Sequence, residues 1–154
     1  MSDKPVPRVR VMPPVYLLAA IVAMATLDWL LPGGGTLPTP WRWLGLVPLI
    51  GGLLLGGLAA SRFRKHQTTI KPGQVSNRLM TGGPYRLTRN PIYVGMVLVL
   101  AGVALLLGGL AEWFVLPVFI WLIARNVIPV EESMLEERFG QEYHDYRAKV
   151  RRWI

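Results

Sequence analysis

The chain has 154 residues, 52% of them hydrophobic and 17% charged, with a formal net charge of +8 and no cysteine. That length fits one domain, and the missing cysteines exclude disulfides, thiolate nucleophiles and cysteine-ligated metals. The charges gather in a few stretches and leave apolar runs near spanning length, which predicts a membrane protein whose basic excess anchors topology and contacts headgroups rather than nucleic acid.

The first predicted span covers residues 15–31. No small-residue cleavage site follows it, so a cleaved signal peptide is not expected. Asp28 near its end reads as a solvated boundary residue rather than a functional carboxylate inside the span. The Gly- and Pro-rich stretch "PGGGTLPTPWRW" is a loop, and Trp41 and Trp43 suit an interfacial aromatic belt. Residues 44–61 form the second predicted span, where Gly52 and Gly56 make a small-residue packing motif.

Residues 62–91 are polar and basic, with Arg62, Arg64, Lys65, Lys71, Arg78, Arg86 and Arg89 and no acid. The next 33 residues, 92–124, carry Glu112 as their sole charge. A single helix of that length would reach about 50 Å, well beyond a hydrocarbon core of about 30 Å. The stretch is therefore predicted to fold back near "GGLAEW" as a tight hairpin of spans three and four, each arm somewhat short. Four spans put the N-terminus, the 62–91 segment and the C-terminal tail on one face, with Arg42 and Glu112 on the other. Positive residues face the cytoplasm, so both termini are expected there.

In the tail, Leu135, Phe139, Tyr143, Tyr146 and Val150 recur at helical spacing, and Asp145 and Lys149 are placed for an i,i+4 ion pair. An amphipathic helix on the cytoplasmic face is predicted, tucked under the bundle or lying along the headgroups. The fold class is thus an all-α integral membrane protein of about four spans plus this helix, and residues 1–154 form one domain.

The densest polar cluster, "GGPYRLTRNPIYVG", sits at the edge of the third span. Asn90 is a favoured N-cap residue and Pro91 a favoured first-turn residue. Two readings follow. The pair simply starts a helix while Arg86 and Arg89 hold lipid phosphates, or the helix N-terminus and the arginines form an anion site for a cofactor carboxylate or phosphate. A second constellation, Arg125 with Glu131 and Glu132 across Pro129, lies where the chain leaves the membrane on the same side. Arg125 alone is a snorkelling anchor and the glutamates alone are first-turn acids. Together with the first cluster they define a site at the cytoplasmic boundary. His66 and His144 lack metal-ligand spacing and read as surface residues, so no metal is expected. No phosphate loop or dinucleotide fingerprint is present.

"LMTGGPYRLTRNPIYVG" followed by "EESMLEERFGQEYHDYRAKVRRW" resembles the isoprenylcysteine carboxyl methyltransferase and phospholipid methyltransferase family. The resemblance covers roughly residues 62 to 154. It rests on Gly83, Pro84, Tyr85, Arg89, Asn90, Pro91, Tyr93 and Gly95, then on Glu131, Glu132, Leu135, Phe139, Gly140, Tyr143 and Tyr146. It implies S-adenosylmethionine as cofactor, held by Asn77, Arg78, Leu79, Met80, Tyr85, Arg89, Asn90, Pro91, Ile92 and Tyr93. It implies catalytic positions at Arg125, Glu131 and Glu132, facing the substrate or the cofactor's charged groups. Where the family usually has His, this chain has Asn90, which hydrogen-bonds but does not titrate near neutrality.

A sulfonium methyl is intrinsically activated, so the protein's task is alignment and exclusion of water. A carboxylate or thiolate acceptor needs no strong base, whereas an amine must shed a proton, which Glu131 or Glu132 could take. The setting suggests a lipidic or small apolar acceptor, membrane lipids as partners, and a homo-oligomer as an option for the glycine-rich second span. Two rival readings are a nicotinamide-dependent membrane reductase related to sterol reductases, for which four spans are too few, and a non-catalytic membrane adaptor.

Overall fold

The computed structural model describes residues 11–31, 37–65 and 78–154. Among them the chain is helical, with α1 (Pro13–Leu30), α2 (Thr39–Arg42), α3 (Leu46–Lys65), α4 (Pro91–Leu107), α5 (Val115–Asn126), α6 (Ile128–Phe139) and α7 (Gln141–Lys149). Three helical stretches are long and apolar enough to cross a membrane: Pro13–Leu30, Thr39–Arg62 and Ala111–Phe139. The third predicted span, α4, has 17 residues and a length of about 25 Å, short of a full crossing by length alone. It is also the central helix, packed on α3 along its length and on α1 and α5 at its other faces.

Glycine decides the α3–α4 contact. A Cβ on Gly45 would stand 2.5 Å from the Gly102 carbonyl oxygen, and one on Gly95 would stand 2.7 Å from the Gly52 oxygen. The two glycine pairs repeat after two helical turns on both antiparallel helices, so the backbones touch wherever a side chain would otherwise intervene. Gly56 also abuts Gly95. The Gly52 and Gly56 motif of the second span is therefore spent on packing within the chain.

The predicted fold-back lies at residues 108–110. Gly108 ends α4 with φ 82° in the left-handed region, which costs glycine nothing. Leu37 donates to the Gly108 carbonyl at 3.3 Å, and Arg42 Nε donates to the Leu37 carbonyl at 3.0 Å. Arg42 and buried Glu112 both lie at this turn end, and Asp28, Trp41 and Trp43 are exposed. Ala111–Phe139 bends at Val127, where Pro129 removes an N–H from the first turn of α6.

The tail is two helices rather than one. Gly140, at φ 48° and ψ −118°, breaks it between α6 and α7. The periodic apolar set nevertheless does what its spacing predicts: Leu135, Phe139, Tyr143, Tyr146 and Val150 pack with Ala59, Leu79, Met80 and Tyr85 in a second core beneath the bundle. Tyr146 locks the contact by donating to the Tyr85 carbonyl at 2.7 Å. The expected ion pair between Asp145 and Lys149 is absent, because Asp145 instead accepts a hydrogen bond from Gln141 at 2.8 Å.

Gly102→Leu is predicted to destabilise the protein by about 1–3 kcal/mol through overpacking. Gly51→Leu, whose Cβ would meet nothing within 4 Å, leaves stability unchanged or slightly raised; unfolding in detergent compares the two. Tyr146→Phe removes the hydroxyl's hydrogen bond to the Tyr85 carbonyl and should cost about 1 kcal/mol in the same assay.

Candidate active site

The two polar constellations meet at one end of the bundle. Arg89, in the turn before α4, places Nη1 3.0 Å from Glu132 Oε1 and donates to the Tyr143 hydroxyl at 3.1 Å. Tyr93, one turn into α4, donates to Glu131 Oε1 at 2.7 Å. The bend at Val127 aims both glutamates of α6 back at the start of α4, so neighbouring acids take different partners. The Arg89 and Glu132 side chains are only 10% and 12% exposed, which makes this an interior ion pair rather than a surface one.

A third segment joins them. Arg152 grips Glu132 with both ends of its fork, Nε to Oε1 at 3.1 Å and Nη2 to Oε2 at 2.5 Å. Its own carbonyl accepts from Thr88 Oγ1 at 3.0 Å and Asn90 Nδ2 at 2.9 Å, while the Arg151 carbonyl accepts from the Arg89 N–H at 2.9 Å. Residues 151–153 thus strap the turn that carries Arg89, and Trp153 packs on the main core.

Asn90 occupies the N-cap position of α4 without capping it by its side chain. The side chain is drawn to the strap instead, and the Asn90 N–H is satisfied by Thr88 Oγ1 at 3.1 Å. Pro91 is fully buried at the first position of the helix, and Ile92 touches both cores.

One donor in the cluster has no acceptor. Arg89 Nε is buried with no hydrogen-bond partner, an arrangement that ordinarily costs free energy. The nearby phenols are in their neutral form. Burial and then the negative charge of Glu131 push Tyr85 well above its usual range, and burial pushes Tyr146 up against the opposing pull of Arg89. Neither is available as a phenolate.

Not every expected position joins. Arg125 is exposed, with its guanidinium over the Trp121 ring at 5.7 Å, and forms no ion pair with the glutamates it was grouped with. Leu79 and Met80 are buried in the second core, where their side chains support Tyr85, Tyr143 and Tyr146. Arg78 is exposed, and Asn77 and His66 lie outside the described residues. His144 is exposed, 3.4 Å from Glu136, and no group of three or more His, Cys, Asp or Glu among the described residues could hold a metal. Sequence reasoning left Thr88 and Arg152 out of the site. Both lie inside the quoted stretches but between the matched positions, and only the folded strap reveals them. Tyr143 stood in the quoted pattern but was assigned no role.

Comparison with known proteins adds an independent line. The phospholipid methyltransferase family model matches residues 41–142. A probable protein-S-isoprenylcysteine O-methyltransferase of Oryza sativa subsp. indica is 32% identical over 111 residues, covering 70% of this chain and 58% of that protein. The protein-S-isoprenylcysteine O-methyltransferase of Schizosaccharomyces pombe is 30% identical over 107 residues, covering 62% and 45%. An uncharacterised Haemophilus influenzae protein is 40% identical over 63 residues, 41% of this chain and all of that protein. The chain spans about half the length of the isoprenylcysteine methyltransferases it matches. No solved structure matches it. A membrane-helix bundle whose family match runs from Trp41 into α7 and takes in Arg89, Tyr93, Glu131 and Glu132 belongs to the phospholipid methyltransferase family.

Proposed function

We propose that this protein transfers a methyl group from S-adenosylmethionine to a lipidic or small apolar acceptor at the cytoplasmic membrane face. The observation that carries the reading is the buried, unpartnered Nε of Arg89 beside the glutamate pair. A buried guanidinium donor without an acceptor suits a carboxylate, and an adjacent acid suits an ammonium. Those are the two charged ends of an amino-acid moiety. On this reading Arg89 and Glu131 hold that moiety, and Tyr85, Asn90, Ile92 and Tyr93 shape the turn around it.

Bound there, S-adenosylmethionine supplies a methyl group already activated by a positive sulfur. The protein's residues orient and shield. Glu132 has both oxygens occupied by guanidiniums. Glu131 has one neutral partner, the Tyr93 hydroxyl, on a single oxygen. Of the two glutamates, Glu131 is therefore the one free to accept a proton from an amine acceptor. Asn90 takes no part in proton transfer, since its amide serves the strap. The named relatives act on isoprenylcysteine; an acceptor of that class carries a carboxylate and needs no base.

Calorimetry on the full chain in detergent should show micromolar binding of S-adenosylhomocysteine, lost in folded Arg89→Ala and Glu131→Ala variants. Binding of reduced nicotinamide dinucleotide instead would favour a reductase, and binding of neither would favour an adaptor. At saturating labelled cofactor, which offsets a weaker hold on its ammonium, Glu131→Gln should slow transfer to an amine about 100-fold or more and transfer to a carboxylate far less. Because the chain has no cysteine, Gln141→Cys and Leu110→Cys can be labelled singly. An impermeant reagent should reach the first from the cytoplasmic side and the second from the opposite side.

A further inference from the structure

We propose that Arg152 is a positioning residue that holds Glu132 away from Arg89 Nε and so keeps that donor open for a ligand carboxylate. The inference rests on the cofactor reading above, and it concerns a residue beyond the segment that the family match covers.

The argument begins with guanidinium geometry. A carboxylate facing a guanidinium prefers two parallel N–H···O bonds, one from each prong of a fork. Glu132 gives that paired arrangement to Arg152, using both oxygens. To Arg89 it offers only Oε1, at Nη1, a nitrogen it shares with the Tyr143 hydroxyl. Arg89 Nε is left buried and without an acceptor. Glu132 is the carboxylate already on this guanidinium, and a shift of its oxygens to the edge that carries Nε would satisfy the donor from within the protein. Such a shift would close the anion-binding donor on itself. Arg152 opposes it by holding both carboxylate oxygens.

Arg152 can do this because its backbone is fixed. Its carbonyl is bound by Thr88 Oγ1 and Asn90 Nδ2, and the preceding carbonyl by the N–H of Arg89 itself. Trp153 is seated on the main core. The strap therefore takes its position from the same turn that carries Arg89, and the two guanidiniums keep a set spacing across one carboxylate. The Asn90 amide adds to that spacing, which gives the residue a job independent of any proton chemistry. Lysine at 152 would keep the charge but not the fork.

The test uses the full chain in detergent with ¹⁵N-labelled arginine, the Arg89 Nε–H resonance being assigned through Arg89→Lys. In Arg152→Gln that resonance should move downfield as Glu132 becomes its acceptor. S-adenosylhomocysteine affinity should fall about tenfold or more, the scale of one charged hydrogen bond, measured at a temperature where both variants remain folded. Arg152→Lys should fall between Arg152→Gln and the wild type in both readouts, which a merely structural role would not produce. An unmoved Arg89 resonance in Arg152→Gln overturns the proposal, as does a moved resonance with unchanged affinity. If the wild type binds no S-adenosylhomocysteine, the cofactor reading fails and the proposal, which needs a ligand carboxylate, falls with it. If the wild type binds and Arg152→Gln binds equally well, only the role of Arg152 is lost.

Discussion

The carboxylate of Glu132 holds together three parts of the chain that are distant in sequence. It reaches Arg89 in the turn before α4 and Arg152 in the strap, and it is itself carried by α6. An interior carboxylate is expensive to desolvate and repays that cost only with close, well-oriented partners. Two guanidiniums supply them, one mostly buried and one reaching in from the surface. The rest of the site end follows from this node. It fixes where α6 stands relative to α4, and that placement lets Tyr93 meet Glu131. It also fixes the strap, and the strap determines what Asn90 does.

Asn90 shows how local propensity yields to a stronger partner. Asparagine before a proline at a helix start is a good side-chain cap, and its backbone sits at that position. Yet the first N–H of α4 is absent because Pro91 has none, and Asn90 already accepts the N–H groups of Tyr93 and Val94 through its own carbonyl. With those donors served, the amide turns to the strap carbonyl of Arg152, which it shares with the Thr88 hydroxyl. The side chain at this position thus serves a fixed hydrogen bond rather than a proton.

The sequence made legible whatever depends on regular spacing or on length. The fold-back near Gly108 follows from a run too long for one crossing. The docking face of the tail follows from apolar residues every three or four positions, and the close helix contact from glycines in an apolar run. Even there, the single tail helix was too simple, because nothing in the spacing reveals that Gly140 takes a positive φ. What stayed hidden depends on which of several equivalent partners a side chain chooses. Two adjacent glutamates look alike in sequence, and only the bend at Val127 sends one to Tyr93 and the other to two arginines. Arg125 was grouped with them by proximity along the chain, but the fold turns it outward onto Trp121. Arg152 lies in a basic run where any arginine could have been an anchor.

The short length of α4 ties the bundle to the chemistry proposed for it. At about 25 Å it falls some 5 Å short of a typical hydrocarbon core. Its far end is tied to the bundle by Gly108, Leu37 and Arg42. A helix that short would leave the turn bearing Arg89, at its other end, inside the headgroup boundary. A polar turn at that depth would be costly if left bare, because lipid offers no hydrogen bonds. α7 and the strap cover it from the polar side, and the bent end of Ala111–Phe139 brings the compensating acids. The result is a set of charged groups that serve one another everywhere but at Arg89 Nε, which is left open. A water-borne zwitterion and a membrane-borne acceptor could both reach such a place, each from its own phase.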